Sequence, residues 1–248
     1  MVRQSIMGIA LLAAAGFQAA AFLMPPGGHP ADEIAGRLPV IFMPATFATV
    51  ILLAIYPLLA YWVVRFGRDG AGIGVQNKRA GLFIGICLSQ IANILAWQEE
   101  ALLPAIASGS LQVILLAVLY FSYPRRKNIL GGRIPVSALL SWSLFCLLVV
   151  IHYTLEFYDW SGFGLSDPLW AILTNTFAAA VALHFLHHYR DRTFALVFSW
   201  MAAMVAFHNL LDEPFVTAAS LFLAGTALVW TFIDMRKTSP RLETAKNE

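Results

Sequence analysis

Charged residues are scarce in this 248-residue sequence: Asp, Glu, Lys and Arg account for 12% of it, and hydrophobic residues for 59%. A soluble domain usually carries about a quarter charged residues, so the composition predicts an integral membrane protein in contact with the lipid bilayer. No basic tract is interleaved with aromatic residues, which excludes a nucleic-acid-binding surface. Both cysteines, Cys87 and Cys146, lie inside apolar runs, and each is interpreted as a small buried hydrophobic residue.

Signatures of catalysis are missing as well. No lysine lies within an apolar run, which excludes a retinal Schiff base. The chain has no phosphate-binding loop and no GxSxG or HExxH motif. The glycines of Gly67–Gly74 follow no strand, and this stretch is interpreted as a flexible loop. We assign no catalytic residue, and the sequence favours a non-enzymatic role without deciding it.

Long apolar runs are what the sequence does contain. Eight of them are long enough, or nearly so, to cross about 30 Å of hydrocarbon at about 1.5 Å per residue. They predict an all-α, polytopic membrane helix bundle with eight transmembrane helices. These apolar segments 1 to 8 are Ser5–Leu23, Pro39–Val64, Ala80–Trp97, Leu102–Phe121, Pro135–Leu155, Pro168–His188, Thr193–Leu211 and Pro214–Phe232. Segment 1 has the alternative of a cleaved secretory signal, but its length and the lack of an A-x-A site favour a retained helix.

The loop charges orient this bundle. All but one of the 16 Lys and Arg residues, Arg37 being the exception, fall on one side of an eight-helix arrangement. The positive-inside rule therefore predicts that both termini are cytoplasmic, and the opposite, outer side is acidic. We expect residues 1–236 to form a single transmembrane domain and residues 237–248 a polar cytoplasmic tail.

The end of segment 3, Ser89–Glu100, carries polar residues within an apolar run. If it is helical, Gln90, Asn93 and Trp97 share one face. Amides inside a membrane helix need partners, so they usually face the protein interior or a cavity. The pattern predicts either a binding site or interhelical hydrogen bonds, and the residues alone leave both open.

Further polar residues lie in the outer third of other segments. His152, Asn175 and His208 are placed at about the depth of Asn93 when the loop charges are used as a ruler. Convergence of four segments at one depth predicts a pocket that opens to the non-cytoplasmic side. The alternative is that each residue only links neighbouring helices.

Two arrangements would imply definite chemistry. His152 and His208, on different segments at similar depth, satisfy the minimum requirement for two axial ligands of a b-type haem. Together with Glu156 and Asp212, they are also candidates for a proton or cation site in a secondary transporter. The run His184–His188 places two histidines one turn apart, but no third ligand is evident, and we assign no metal site.

Four landmarks of the chain share their order and spacing with a known family. They are Leu38–Pro44 followed by Tyr56, Asn93 with Trp97, Arg133–Ser137 leading to Ser141 and Trp142, and Asp191 followed by Phe194–Trp200. In these features the chain resembles the TspO/MBR superfamily (translocator protein, tryptophan-rich sensory protein), and especially its longer bacterial members with additional helices. Leu52 stands where the family usually has a tryptophan.

The resemblance implies a TspO-like five-helix core formed by segments 2 to 6, residues 38–190, in a bacterial cytoplasmic membrane. It also implies a ligand-binding or sensory protein that holds a hydrophobic or amphipathic small molecule between core helices, and it leaves a homo-oligomer open. Tyr56, Asn93, Trp97 and Trp142 are the implied contacts, and the polar pattern adds Gln90 and Asn175. A tetrapyrrole ligand is implied by the resemblance alone.

Overall fold

The structure is a computed structural model that describes residues 2–23, 25, 28–68, 70–124 and 128–238. Eight long helices, which we number α1 to α8, make up most of this part of the chain. They are α1 (Val2–Leu23), α2 (Leu52–Arg65), α3 (Ile73–Gln98), α4 (Leu102–Phe121), α5 (Arg133–Phe157), α6 (Asp167–Tyr189), α7 (Arg192–His208) and α8 (Pro214–Thr238). The predicted all-helical membrane bundle is confirmed.

The predicted count of eight crossings is not confirmed. Within the described residues, seven helices are long and apolar enough to cross a membrane, and one of these combines α2 with the preceding turns into Thr46–Arg65. Helix α7 is apolar but has only 17 residues, or about 25 Å at the rise of an α-helix. Segment 7 was expected to extend to Leu211, but the helix ends at His208.

Helix α5 lies at the centre of the bundle. In its most apolar stretch 67% of the residues are buried, against 22% in α1. It packs against α2, α4 and α7. Its own apolar side chains lie on all sides of the helix, as expected for a helix that is surrounded by protein. Trp142, Phe145 and Tyr153 are among its buried residues. Polar groups carried by α5 therefore face other helices.

Segment 2 was predicted as one helix from Pro39 to Val64, and this is wrong at its start. The chain is not α-helical from Pro39 to Ala45, and Thr46–Ile51 forms a 3-10 helix. Pro44 explains part of the difference, since a proline disfavours helical geometry in the residue before it.

Helix α7 supplies the hydrogen bonds that this irregular stretch needs. Asn209, just after α7, donates through Nδ2 to the carbonyl of Ile41 at 2.8 Å, and Trp200 Nε1 donates to the carbonyl of Ala48 at 2.9 Å. The amide of Ala45 donates to the carbonyl of Met204 at 3.0 Å. Irregular backbone is tolerated at membrane depth only where it is buried in protein or lines a cavity.

Segment 3 begins earlier than predicted. Helix α3 starts at Ile73 rather than Ala80, so the end of the expected loop is helical. Arg79 is buried there because its guanidinium donates through Nη2 to the carbonyl of Ser122 at 2.6 Å and lies 3.6 Å from the ring centre of Tyr123. A paired arginine does not interrupt the helix.

Side-chain contacts show which helix ends lie together. At one end Arg3 bonds to Gln76, Asn128 donates to the carbonyl of Arg190, and Arg192 pairs with Asp234. This end also carries most of the described basic residues, and Arg125, Arg126 and Lys127 lie outside the described residues. The opposite end, which we call the outer end, contains Arg37 and most of the acidic side chains. The contacts agree with alternating crossings.

Candidate functional site

A cavity of about 260 Å³, which we call cavity A, extends from the outer end into the middle of the bundle. Its walls come from α1, the irregular stretch before α2, α3, α4, α5 and α7. The polar side chains used below are Asp32, Gln90, Asn93, Gln112, Ser143 and His208. Apolar walls include Phe22, Met43, Trp97, Trp142, Leu147 and Met201. The lining is largely apolar with a few polar groups, a composition that is typical of small-molecule sites.

Helix α3 forms one wall of cavity A. Gln90, Asn93 and Trp97 all line it, so the structure brings the predicted polar face of segment 3 onto a cavity. The seven steps from Gln90 to Trp97 span about 10 Å along the helix axis. Gln112, which is ten residues or about 15 Å into α4, lines the cavity as well, so cavity A reaches deeper than the outer third in which the sequence places its polar residues.

The amide nitrogens of this site are bound to protein. Asn93 donates through Nδ2 to the carbonyl of Ala105 at 2.7 Å, which fixes the side chain against α4. Gln90 Nε2 donates to the hydroxyl of Tyr56 at 2.7 Å, and Gln112 Nε2 donates to the hydroxyl of Ser143 at 3.2 Å. These bonds hold the three side chains in place and leave their amide oxygens for other partners.

The outer end of cavity A is covered by residues 28–38, which we call the cap segment and which contain the short helix Ala31–Ala35. Trp97 Nε1 donates to the carbonyl of Ala31 at 3.4 Å, and the indole packs edge-on against Tyr153, with ring centres 4.8 Å apart. The hydroxyl of Tyr153 donates to the carbonyl of Ile34 at 3.0 Å. Trp97 is thus both a wall of the cavity and a support of its cover.

Charged groups hold the cap segment to the start of α4. Arg37 forms ion pairs with Glu100 and with Glu33, and the Glu33 carboxylate also contacts Nδ1 of His29 at 2.8 Å. The hydrogen bond from Arg37 lowers the pKa of the Glu33 carboxyl below its ordinary value, and the same bond raises the pKa of Arg37. The guanidinium of Arg37 is therefore shared between the carboxylates of Glu33 and Glu100.

The other predicted contact residues occupy different places. Trp142 lines cavity A. Tyr56 stands behind the lining and positions Gln90 by accepting its hydrogen bond. Asn175 does not join this site: it is buried, donates to the hydroxyl of Ser220 at 2.8 Å, and links α6 to α8. That is the interhelical bond that the sequence analysis left as the alternative.

A second cavity of about 150 Å³, cavity B, lies at the outer end between α5 and α6. His152, Glu156 and Asp167 line it together with Trp160 and Trp170, whose ring centres are 5.2 Å apart. In addition, His152 Nε2 lies 2.8 Å from the hydroxyl of Thr174.

The four residues proposed for haem or proton chemistry are not brought into one site. His152 and Glu156 line cavity B, His208 lines cavity A, and Asp212 lines neither. The predicted single pocket in the outer third is therefore wrong in this respect. His184 and His188 have ring centres 4.5 Å apart, and no group of three or more potential metal ligands was found among the described residues.

Sequence reasoning missed several residues of cavity A. Gln18, Gln112 and Ser143 line it, although none was a candidate. Gln18 and Gln112 carry the same signal as Gln90, a carboxamide inside an apolar run, and the same argument about unpaired amides applies to them. No comparable signal marks Met43 or Met201, which enter the lining through tertiary packing.

Comparison with known proteins adds the family. The sequence model of a family described as TSPO-like protein matches residues 4–233, which covers most of α1 and of α8 as well as the central helices. No curated protein and no solved structure matches the chain. The match spans more than half of the chain and confirms the predicted TspO/MBR relationship. This multi-pass helical membrane protein therefore belongs to the TSPO-like family.

Proposed function

We propose that the protein binds a hydrophobic or amphipathic small molecule in cavity A and acts as a sensor or carrier of that molecule. The observation that carries the proposal is the cavity itself: three side chains of α3 converge with Trp142 and Gln112 on one largely apolar space. In this function Asn93 orients the ligand by a hydrogen bond, and Trp97 and Trp142 provide apolar walls.

Immobilised polar groups favour binding over a purely structural role. Asn93, Gln90 and Gln112 are each held by a hydrogen bond to another part of the protein. A ligand would then meet polar groups that are already ordered, and it would pay less conformational entropy on binding. Simple interhelical links would not require a cavity between them.

The cap segment is the proposed cover of the site. It is held by Trp97, Tyr153 and Arg37 through separate bonds. Opening it would break the pairing of Arg37 with Glu100 and would expose cavity A to the outer side. A molecule could then enter or leave without crossing the packed helices around α5.

We also propose that the protein lies in a bacterial cytoplasmic membrane with both termini in the cytoplasm. The clustering of basic side chains at one end of the bundle supports this orientation. The test introduces single cysteines at Ser161 and Lys78, both exposed, into a variant without Cys87 and Cys146. A membrane-impermeant maleimide applied to intact cells should label position 161 and spare position 78; equal labelling of both would contradict the orientation.

Binding can be tested with 4-(4-bromophenyl)butan-1-ol, because bromine quenches tryptophan fluorescence at short range. In lipid nanodiscs we expect saturable quenching, and we expect Trp97→Phe or Trp142→Phe to remove a large part of it. Trp230→Phe is the matched control, since Trp230 is 47% exposed on α8 and does not line cavity A. Non-saturable quenching that the Trp97 and Trp142 variants leave unchanged would mean that the compound only enters the lipid.

A further inference from the structure

On its α3 and α4 walls, cavity A presents the acceptor ends of amide side chains. The Nδ2 of Asn93 is committed to a backbone carbonyl, a group that only accepts. Its Oδ1 is therefore the free end of the amide, and no partner for it occurs in the described part of the chain. Gln90 and Gln112, which are only 8% and 6% exposed, donate instead to hydroxyls, groups that can also donate, and no partner of their oxygens occurs among the described residues.

The charges around cavity A also disfavour an anionic ligand. Among the described residues that line it there is no Lys or Arg, whereas Asp32 stands at its outer end. Arg37, on the cap segment, is engaged by Glu33 and Glu100. His208, at the end of α7, lines the cavity too. An anionic ligand would meet acceptor oxygens and a carboxylate without a free cation.

We infer that the polar group of the ligand of cavity A is a neutral or cationic hydrogen-bond donor, a hydroxyl, amide N–H or ammonium, and that compounds carrying a carboxylate are rejected. The inference rests on the proposed function and names its ligand class. An acceptor that a bound ligand covers without donating to it costs about 1–3 kcal/mol, so the three amide oxygens favour a ligand that donates to them. A buried carboxylate facing them would lose its hydration and would meet acceptor oxygens and the Asp32 carboxylate, with no Lys or Arg among the described lining residues.

This selectivity has a consequence for the ligands implied by the family resemblance. Tetrapyrroles with free propionate groups carry the charge that this lining disfavours. A neutral derivative, with the propionates esterified, loses that charge but gains no donor. The ligand class inferred from cavity A therefore differs from a free-acid porphyrin in charge and in hydrogen-bonding direction.

Three probes with one body and different head groups test the inference: 4-(4-bromophenyl)butan-1-ol, 4-(4-bromophenyl)butylamine and 4-(4-bromophenyl)butanoate. Their affinities are measured at pH 8 by tryptophan quenching in nanodiscs of neutral lipid, where the imidazole of an unperturbed histidine is uncharged. We expect the alcohol and the amine to bind at least tenfold more tightly than the carboxylate. Asp32→Asn should weaken the amine about threefold and leave the alcohol unchanged.

Variants assign the selectivity to the amide oxygens. Gln90→Met and Gln112→Met keep the side-chain length and remove the acceptor, so each should reduce the preference for the alcohol over the carboxylate about fivefold. The matched control is Gln98→Met: this amide is also buried, donates to the carbonyl of Ala21, and does not line cavity A. Its variant should keep the full preference.

The outcomes separate the two proposals. If the carboxylate binds as tightly as the alcohol, the inferred ligand class is wrong, and binding in cavity A stands. If none of the three probes binds saturably, the proposed function itself fails. If the preference exists but survives both methionine variants, the amide oxygens are not its source, and the inference is overturned.

Discussion

Replacing Gly109 by alanine is the sharpest test of cavity A, because the change is one methyl group. Gly109 lies on α4 in the lining. A Cβ atom at this position would lie 3.2 Å from Nδ2 of Asn93 and 3.3 Å from Cδ1 of Leu147. Both contacts are tighter than usual, so the neighbours must move by a few tenths of an ångström. Asn93 would shift relative to Ala105, its hydrogen-bond partner.

The substitution should leave stability almost unchanged and should weaken binding. Alanine improves helix propensity by about 0.8–1.0 kcal/mol relative to glycine, and a weakened Asn93–Ala105 bond costs about 1 kcal/mol, so thermal stability should hardly change. A ligand that loses its hydrogen bond to Asn93 loses about 0.5–1.5 kcal/mol. Since about 1.4 kcal/mol corresponds to tenfold in affinity, we expect binding of the bromophenyl alcohol to weaken about three- to tenfold.

Gly85→Ala is the matched control for this variant. A Cβ atom at Gly85, on α3, would lie 3.3 Å from Cδ1 of Leu115 on the facing helix, and neither residue lines cavity A. Affinity is measured by quenching and stability by thermal unfolding in the same nanodiscs. A folded Gly109→Ala protein that binds the alcohol as tightly as wild type, with Gly85→Ala behaving identically, would refute the assignment of the ligand to cavity A.

Three further predictions concern other parts of the molecule. Asn175→Leu should lower stability by about 0.6–2 kcal/mol through loss of the bond to Ser220, with alcohol binding unchanged; weaker binding with intact stability would return Asn175 to the site. His152→Ala should leave the visible spectrum of haem-incubated protein the same as wild type, since His152 and His208 line separate cavities, and loss of a Soret band would support haem ligation. Arg37 lowers the pKa of the Glu33 carboxyl. The ion pair between Glu33 and Arg37 therefore stabilises the cap segment fully at pH values above the ordinary carboxyl pKa, and this stabilisation is lost as pH falls through the lowered value. The hydrogen-exchange protection factors of residues 31–36, which correct for the slower intrinsic exchange at acidic pH, should fall there, and Glu33→Gln should remove that glutamate's share of the pH dependence.

The family and the helical class followed from order and spacing, which need no tertiary information. Apolar runs separated by charged loops predict membrane helices because the bilayer leaves few alternatives. The predicted helix boundaries were less accurate where contacts with a neighbouring helix outweigh the local sequence pattern. Residues 39–45 can be non-helical because α7 and Asn209, just after it, provide hydrogen-bond partners for their backbone. Helix α3 continues through Arg79 because Ser122 and Tyr123 bind its guanidinium.

The candidate site was predictable where one helix carries it. Gln90, Asn93 and Trp97 lie on one face by their spacing alone, and that face lines cavity A. Residues on different helices were harder to place, since similar depth does not mean proximity. Asn175 turns toward α8, and His152 lies in a different cavity from His208.

The sequence by itself determined that this protein is a helical membrane protein of TspO-like type with an unusual polar face near the end of its third apolar run. Periodicity, hydropathy and charge are properties of the chain, and they suffice for those conclusions. Only the tertiary structure decided which residues and which cavity that face contacts, because the rotation of each helix about its axis is set by packing. It placed Gln112, Ser143 and the cap segment opposite α3, and it directed the amide nitrogens of Gln90, Asn93 and Gln112 toward other groups of the protein.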